Sequence, residues 1–264
     1  MAKAEKGIAD ACAPGAVTAA YDVIGFAIAA FETSPKVQPF SSRYDLFLRG
    51  KGTLTAQEKE GLALFGGKAR CSACHPHRQG PRGEPPLFTD FSYDNLGLPP
   101  NPANPFYGMA KEWNPDGARW RDPGLGGFLR ERPRLAALAD ANVGKHKVAT
   151  LRNVEKRPSP GFVKAYGHNG VFKSLEEVVH FYNTRDVLPP CTTAKEGKPG
   201  VSCWPAPEEP RNVERVETGR LGLTPAEEAS LVAFLKTLDD APQPAAGAAV
   251  GGDAGGTGGA GAGR

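Results

Sequence analysis

The feature that most constrains this chain is a short run of residues, Cys71-Ser-Ala-Cys74-His75. Two cysteines separated by two residues and followed at once by histidine form the attachment pattern of a c-type haem. The spacing allows the two thiols to add to the two vinyl groups of one porphyrin, and the adjacent histidine then reaches the iron from one face. The pattern predicts one covalent haem c, attached through Cys71 and Cys74, with His75 as the proximal ligand.

Two other chemistries use a Cys-x-x-Cys pair, and the rest of the sequence supports neither. A structural zinc site needs a second pair of ligands at compatible spacing, whereas Cys191 and Cys203 are twelve residues apart. A thioredoxin-type redox pair needs a preceding strand and a βαβ context, and no alternating strand pattern precedes the motif. Haem attachment is therefore the favoured interpretation.

Few regular elements are predicted around the motif. Glycine and proline together account for 58 of 264 residues, which favours long loops, and residues 77–145 are mostly irregular. Apolar residues at helical spacing predict a helix over residues 17–31. A hydroxyl residue followed three positions later by glutamate is typical of a helix start, and this capping-box pattern occurs at Thr55, Ser174 and Thr224. The predicted fold class is mainly α, a cytochrome c-like haem domain with few helices and long loops.

Composition divides the chain into three segments. Residues 1–15 form an N-terminal segment, residues 16–240 form the haem domain, and residues 241–264 hold 9 glycines and 8 alanines. That last segment cannot bury apolar surface and is predicted to be a disordered tail. Within the domain, one more short helix is predicted between residues 124 and 141.

Charge and hydropathy argue against two classes of partner. The net charge is only +3 and no run of five lysines or arginines occurs, which argues against nucleic acid. No uninterrupted apolar stretch of 18 residues occurs, so no membrane span is predicted. The most apolar segment, residues 16–31, contains Asp22 and begins too far after Lys3 and Lys6 to be a signal peptide.

Five longer stretches give the chain a family resemblance. They are LTAQEKEGLALFGGKARCSACH, LFTDFSYDNLGL, KVATLRNV, GHNGVFKSLEEVVHFYN and LTPAEEASLVAFLKTL. In this order they resemble the bacterial di-haem cytochrome c peroxidase family, which includes MauG, over residues 16–238. The match is to the second, C-terminal haem domain, and residues 16–31 resemble the helix that links the family's two domains. The family's first domain has its own Cys-x-x-Cys-His, whereas this chain has a single such motif. We therefore expect the chain to be a fragment, a split gene product or a natural one-haem derivative.

The resemblance also implies a second axial ligand of the iron. The family places its distal ligand about two turns into the helix that begins here at Ser174, and the matching residue is Tyr182, as in MauG-like members. A phenolate stabilises ferric iron and lowers the reduction potential relative to methionine. Tyr182 also continues an apolar helical stripe, so a buried core tyrosine is the alternative. Met109, in a proline-rich loop, and His146 are the other candidate distal ligands.

Two more residues are candidates for contact with the haem. Arg152 suits a haem propionate because guanidinium groups pair well with carboxylates, and a surface salt bridge is its alternative. His168 lies in a Gly-His-Asn-Gly turn that resembles the family's His-Asp-Gly turn, which implies a hydrogen bond near the haem. The family also binds calcium with groups from both domains. The first-domain contributor is absent and the stretch before His168 differs, so calcium is expected to be possible but no residue is assigned to it.

Cys191 and Cys203 flank a loop rich in glycine, proline and lysine. A disulfide between them would close a loop of about a dozen residues and add roughly 3 kcal/mol of stability, and two free thiols are the alternative. Cys12 is left over. Because haem attachment and disulfides both belong outside the reducing cytoplasm, we expect a periplasmic protein. The lack of a signal peptide is then explained if the sequence begins inside a longer gene.

The resemblance implies an oxidoreductase of the cytochrome c peroxidase type. In that family the first-domain haem reduces peroxide with electrons that the second domain passes to it. The expected partners are a second haem domain or a small redox protein, with hydrogen peroxide as the substrate, and full activity would need the second haem domain. The alternative is an autonomous one-haem electron carrier without peroxidase activity.

Overall fold

A computed structural model describes residues 14–191 and 197–241 of the chain. Six α-helices lie in this part: α1 (Pro14–Glu32), α2 (Arg43–Leu48), α3 (Ala56–Gly66), α4 (Gly124–Arg130), α5 (Leu175–Thr184) and α6 (Pro225–Leu235). The two strands are β1 (Tyr93–Asp94) and β2 (His146–Lys147), and short 3-10 turns occur at Cys71–Ala73, Pro105–Gly108, Gly117–Arg119, Ala136–Leu138, Asp140–Asn142 and Lys236–Leu238. The described part is therefore mainly helical with long irregular connections, as predicted. Cys12 and all but the first residue of the predicted tail lie outside the described residues.

The three predicted capping boxes each begin a helix. The side chains of Thr55, Ser174 and Thr224 accept a hydrogen bond from the backbone three residues on, and the glutamate there accepts one from the cap. The helices predicted over residues 17–31 and between residues 124 and 141 are also present, as α1 and α4. The sequence analysis missed α2, which begins with a similar box at Ser42 that uses aspartate in place of glutamate.

Helices α3 and α6 pack closely across the centre of the domain. A side chain at Gly61 in α3 would overlap the backbone oxygen of Ser230 and lie 2.7 Å from Cβ of Phe234, both in α6. Glycine is therefore required at this crossing, and any larger residue would push the two helices apart.

A buried aromatic cluster fills the space beside this crossing. Its members are Tyr44, Phe65, Phe88 and Phe234, whose ring centroids lie 5.2–6.5 Å apart in mostly edge-on arrangements. Such arrangements are favourable for aromatic pairs. The cluster joins α2, α3, α6 and the loop after the Cys-x-x-Cys-His motif into one core.

Helix α5 lies between this core and a second, smaller cluster. Leu175 and Val179 pack into the first core, whereas Phe181 packs into a cluster with Leu98, Phe172 and Trp204. Because two faces of α5 are buried, its rotation is fixed. Every side chain on α5 therefore points in a defined direction, including that of Tyr182.

The two strands form an antiparallel ladder of two residues each, with Asp94 opposite His146. The sequence analysis found no strand because two residues are too few to show an alternating pattern. Residues directly opposite each other in such a ladder point to the same face. The ladder thus brings the segment between α4 and α5 next to the loop that follows the cysteine motif.

Helix α1 is exposed along its length. Of the described residues, only its segment Gly15–Glu32 is long and apolar enough to cross a membrane by length and composition, and none of that segment is buried. The sequence predicted no membrane span because no apolar stretch of 18 residues is uninterrupted. Helix α1 is interrupted by Asp22, but its average hydropathy over 18 residues is high enough for a span. Leader sequences near an N terminus meet the same requirement, so this property alone does not assign the helix to a membrane.

The structure pairs Cys191 with Cys203 as a disulfide, with their Cα atoms 5.0 Å apart. The two residues lie at opposite ends of the loop that the sequence analysis singled out, 12 positions apart. Cys203 and its neighbour Trp204 are buried, and Trp204 belongs to the cluster beside α5. The disulfide therefore closes a loop that is anchored on the α5 side of the domain.

We expect Cys191 and Cys203 to be bonded to each other in protein purified without reductant. Peptide mapping without reduction should recover the two cysteines in one linked peptide, and Cys191→Ala should remove roughly 3 kcal/mol of stability. Quantitative alkylation of both cysteines in the unreduced protein would contradict this prediction.

Candidate functional site

The cysteine motif begins directly beyond α3. Residues Cys71–Ala73 form a 3-10 turn, and the preceding Arg70 adopts a left-handed backbone conformation with φ of 55°. Such a conformation is uncommon outside glycine, and it turns the chain sharply out of the helix. The result is a short, stiff support that presents both thiols and the histidine from one turn.

The two thiols are not joined to each other. The Cys71 thiol donates to the backbone oxygen of Ala69 at 3.4 Å, and the Cys74 thiol lies 3.6 Å from a carboxylate oxygen of Glu217 and 3.9 Å from one of Asp94. Burial raises the pKa of Cys71 to about 12, and burial together with the neighbouring carboxylates raises the pKa of Cys74 to about 12. A redox-active pair needs the opposite, a lowered thiol pKa, so these surroundings do not favour the thioredoxin-type alternative.

His75 is held by a single hydrogen bond. Its Nδ1 lies 2.7 Å from the backbone oxygen of Phe88, and because a carbonyl oxygen only accepts, Nδ1 carries the proton. Nε2 has no hydrogen-bond partner among the described residues, so its lone pair is available. Burial lowers the pKa of His75, with the Phe88 hydrogen bond and Asp90 opposing this effect. A neutral imidazole whose other nitrogen is fixed by a carbonyl is the usual state of a metal-ligating histidine.

The loop that carries the Phe88 carbonyl is clamped in place. Phe88 is fully buried and has a positive φ of 53°, a conformation that costs energy for an aromatic residue and persists only where its surroundings enforce it. Three hydrogen bonds between residues 148–152 and residues 86–89 hold this conformation in place. They run from Arg152 Nε to Pro86 O (2.9 Å), from Thr150 Oγ1 to Leu87 O (2.6 Å) and from Thr89 Oγ1 to Val148 O (2.5 Å).

Arg152 therefore helps to hold the loop whose Phe88 carbonyl orients His75, the predicted proximal ligand. Its guanidinium also forms a two-point ion pair with Asp45, with both N–O distances at 2.9 Å, and the side chains are 9% and 2% exposed. The pair is buried, so the surface salt bridge considered from the sequence is wrong. Contact with a haem propionate stays a prediction.

Tyr182 lies on α5 with its hydroxyl unpartnered among the described residues. Burial raises the pKa of Tyr182, and the thiols of Cys71 and Cys74 raise it further, with Arg185 opposing them. Because a charge effect falls off with distance, Tyr182 lies in the neighbourhood of the cysteine motif. Ligation of the iron by Tyr182 stays a prediction.

The backbone on either side of Tyr182 is fixed by hydrogen bonds. The backbone oxygen of Tyr182 accepts from Gly219 N at 2.7 Å. The Asn183 amide bonds to both backbone groups of Leu223 at 2.9 Å. The buried Arg185 donates to the backbone oxygens of Leu96 and Glu214. The end of α5 cannot rotate without breaking these bonds.

These residues fit a covalently attached haem. Two free thiols and a half-buried histidine whose Nε2 has no partner among the described residues stand on one turn. The half-buried Tyr182, whose hydroxyl also has no partner among the described residues, lies on another element. An iron bound by His75 and Tyr182 would give both free groups a partner.

The other two candidate distal ligands, Met109 and His146, have different surroundings. Met109 ends a 3-10 turn in the loop after β1 and is 44% exposed. His146 stacks on His168, with ring centroids 3.7 Å apart and planes 6° apart, and Nε2 of His168 bonds to Glu208 at 3.1 Å. The structure therefore places His146 and His168 together, whereas the sequence analysis treated them separately.

Four positions at the site were missed from the sequence. The Phe88 carbonyl has no sequence signature, because any residue carries one. Thr89 and Thr150 lie inside the family-like stretches LFTDFSYDNLGL and KVATLRNV, and their hydroxyls could have been considered as loop clamps. Asp45 could have been found from the Ser-x-x-Asp pattern that starts α2.

The fold and site define a mainly helical domain built around a Cys-x-x-Cys-His turn. No family model matches the chain. The methylamine utilization protein MauG of Paracoccus denitrificans (strain Pd 1222) is 34% identical over 222 residues, which are 84% of this chain and 52% of that protein. Cytochrome-c peroxidase IdrP1 of Denitromonas iodatirespirans is 30% identical over 224 residues, 80% of this chain and 48% of that protein.

A solved structure gives the same result. The diheme peroxidase BthA of Burkholderia thailandensis E264 superposes with a TM-score of 0.59 at 28% identity, over 83% of this chain and 51% of that one. The chain belongs to the di-haem cytochrome c peroxidase and MauG family, as its sequence stretches predicted. It spans about half the length of the relatives it matches.

Proposed function

We propose that the chain is a c-type haem domain that transfers electrons within a cytochrome c peroxidase-family oxidoreductase. The observation that carries the proposal is the state of His75, which follows Cys74 directly. It is half-buried, its Nδ1 is held by the Phe88 carbonyl at 2.7 Å, and its Nε2 has no partner among the described residues. The names of the relatives, which are cytochrome-c peroxidases, a diheme peroxidase and MauG, support the same class of function.

Haem attached here supplies an iron centre that takes up and releases one electron. Cys71 and Cys74 hold the group through thioether bonds, one group per chain. The Phe88 carbonyl keeps the His75 ring in one orientation and makes Nε2 a stronger donor. Tyr182 would be the second protein ligand of the iron. An iron held by both His75 and Tyr182 would have no position free for peroxide, so the domain would pass electrons and the peroxide chemistry would belong to a second haem domain.

The surface beside the motif favours an acidic redox partner. A cavity of about 740 Å³ is lined by Arg70, the residue before Cys71, and in all by four basic side chains but only one acidic one. The basic residues are Lys68, Arg70, Arg215 and Arg220. A surface of one sign speeds the approach of a partner of the opposite sign, and salt screens this effect. The partner is a small redox protein or a second haem domain with an acidic face.

The proposed location is the periplasm. Thioether attachment of haem and a structural disulfide both require a compartment outside the reducing cytoplasm. The Cys191–Cys203 pairing supports this location independently of the haem.

Two rates measured on the haem-loaded chain test the proposed function. We expect the reduced chain to be reoxidised rapidly by an oxidised small cytochrome c, and its peroxide consumption to stay close to that of the double variant Cys71→Ala/Cys74→Ala. Adding the first haem domain of a relative should raise peroxide consumption. Efficient peroxide reduction by the chain alone would contradict the electron-transfer role, and a chain that takes up no electron would contradict the proposal as a whole.

A further inference from the structure

A second cluster of ligand-type side chains lies outside the residues assigned to the haem iron. It combines Asp122, which precedes α4, His146 in β2 and His168 in the loop before α5. One possible ligand atom from each residue lies within 4.8 Å of the other two. Three separate segments of the chain therefore converge on one point.

The two imidazoles are stacked face to face, at 3.7 Å between ring centroids and 6° between ring planes. Two imidazolium ions at this distance would repel each other, so the arrangement requires at least one neutral ring. Burial lowers the pKa of His146, and the neighbouring His168 lowers it further, whereas Asp122 and Glu208 oppose them. The neutral imidazole is the form that binds metal ions.

His168 is oriented by a buried carboxylate. Glu208 is 2% exposed, and its oxygens lie 3.1 Å from Nε2 of His168, 2.8 Å from the Tyr107 hydroxyl and 2.9 Å from the Asn169 amide. Because these three hydrogen bonds fix the carboxylate, it fixes the ring, and the proton of His168 resides on Nε2. Nδ1 is then left as the ligand atom. A carboxylate, a histidine and an ion in this order are a frequent arrangement at zinc sites.

We propose that Asp122, His146 and His168 bind one divalent cation of the zinc class, with Glu208 as the residue that positions His168. Two ligands of one tetrahedral zinc ion lie about 3.4 Å apart, given bonds of about 2.1 Å. The atoms here lie within 4.8 Å, so small rotations of the side chains bring them to that separation. One aspartate and two histidines are a donor set that zinc accepts. Three protein ligands leave the fourth position to water.

Calorimetric titration of Zn²⁺ into the haem-loaded chain, after dialysis against a chelator, tests the site. Metal analysis of the same sample counts zinc separately from the haem iron. We expect one zinc per chain in addition to the iron. His146→Gln and His168→Gln should each weaken the affinity at least 10-fold, and Glu208→Gln about 10- to 100-fold, as for other residues that orient a ligand.

Asp122→Asn is the variant expected to keep the fold. The Asp122 carboxylate accepts a hydrogen bond from Gly124 N at 2.9 Å, and the amide oxygen of asparagine can accept the same bond. It should weaken zinc binding about 10-fold. Asp116→Asn is the matched control in the same loop. Asp116 is exposed and forms no salt bridge within the described residues, so it should leave zinc binding unchanged.

The haem absorbance spectrum is recorded for every variant, and it reports on the haem site and on folding independently of zinc. Failure of the unaltered chain to bind zinc would overturn the metal site and leave the proposed haem function standing. Stoichiometric zinc that neither histidine variant weakens would also overturn it, because the ion would then bind elsewhere. A changed haem spectrum in His146→Gln with unchanged zinc binding would assign His146 to the iron instead.

Discussion

Tyr182→Phe is expected to change the ferric absorbance spectrum to that of five-coordinate or water-ligated haem and to raise the reduction potential. The substitution keeps the ring and its packing beside Phe181 and removes only the oxygen. Without iron, burial and the two thiols raise the pKa of Tyr182 above the usual value of a phenol, so the residue would be neutral. Ferric iron can stabilise the phenolate far below the ordinary pKa of about 10. Loss of this anionic ligand removes its preference for the ferric state.

Tyr93→Phe is the matched control for this experiment. Tyr93 lies in β1, is 38% exposed, and its hydroxyl forms no hydrogen bond within the described residues. It should leave the spectrum and the potential unchanged. If Tyr182→Phe also leaves the ferric spectrum unchanged, Tyr182 is only a core residue, and Met109 and His146 become the next candidates for the distal position.

Arg152→Gln is expected to destabilise the domain by about 3–5 kcal/mol, because it leaves the buried Asp45 carboxylate without its counter-ion. For a domain of this size the loss corresponds to a fall in Tm of about 6–20 °C. Arg130→Gln is the matched control, since both side chains of its pair with Asp140 are exposed, at 51% and 91%. Such exposed pairs contribute about 1 kcal/mol or less. Thermal melting at neutral pH, followed by circular dichroism, measures both.

The stability that the Arg152–Asp45 ion pair contributes depends on pH. Burial raises the pKa of Asp45, but the hydrogen bonds from Arg152 and Ser42 and the charge of Arg152 lower it more, so the net pKa is below its ordinary value. The ion pair therefore contributes stability above about pH 4, and that contribution is lost as the pH falls through the lowered pKa. The difference in Tm between Arg152→Gln and the unaltered chain should shrink in acid. Equal melting of the Arg152 and Arg130 variants at neutral pH would contradict a stabilising role for the buried pair.

Local sequence signals predicted the helices well. Thr55, Ser174 and Thr224 carry the side chains that start a helix, and the information lies within four residues of each cap. The start of α2 was missed because Ser42 is paired with aspartate, which departs from the usual glutamate. The ladder between β1 and β2 was missed because each strand is only two residues long.

The long-range contacts of the site had no local signal. Arg152 and Asp45 are 107 positions apart, and the chain between them is mostly loop, so neither residue predicts the other. The Phe88 carbonyl that orients His75 is a backbone group, and its position depends on three hydrogen bonds between residues 86–89 and residues 148–152. His146 and His168 were both noticed in the sequence, but only the folded chain stacks their rings.

Intact-mass spectrometry measures haem attachment directly. The chain is produced with a periplasmic haem-maturation system, denatured to release any group that is not covalently bound, and compared with Cys71→Ala/Cys74→Ala produced in the same way. We expect the unaltered chain to exceed its polypeptide mass by one haem and the double variant to show the polypeptide mass alone. An unaltered chain with the mass of the bare polypeptide would contradict covalent haem attachment at Cys71 and Cys74.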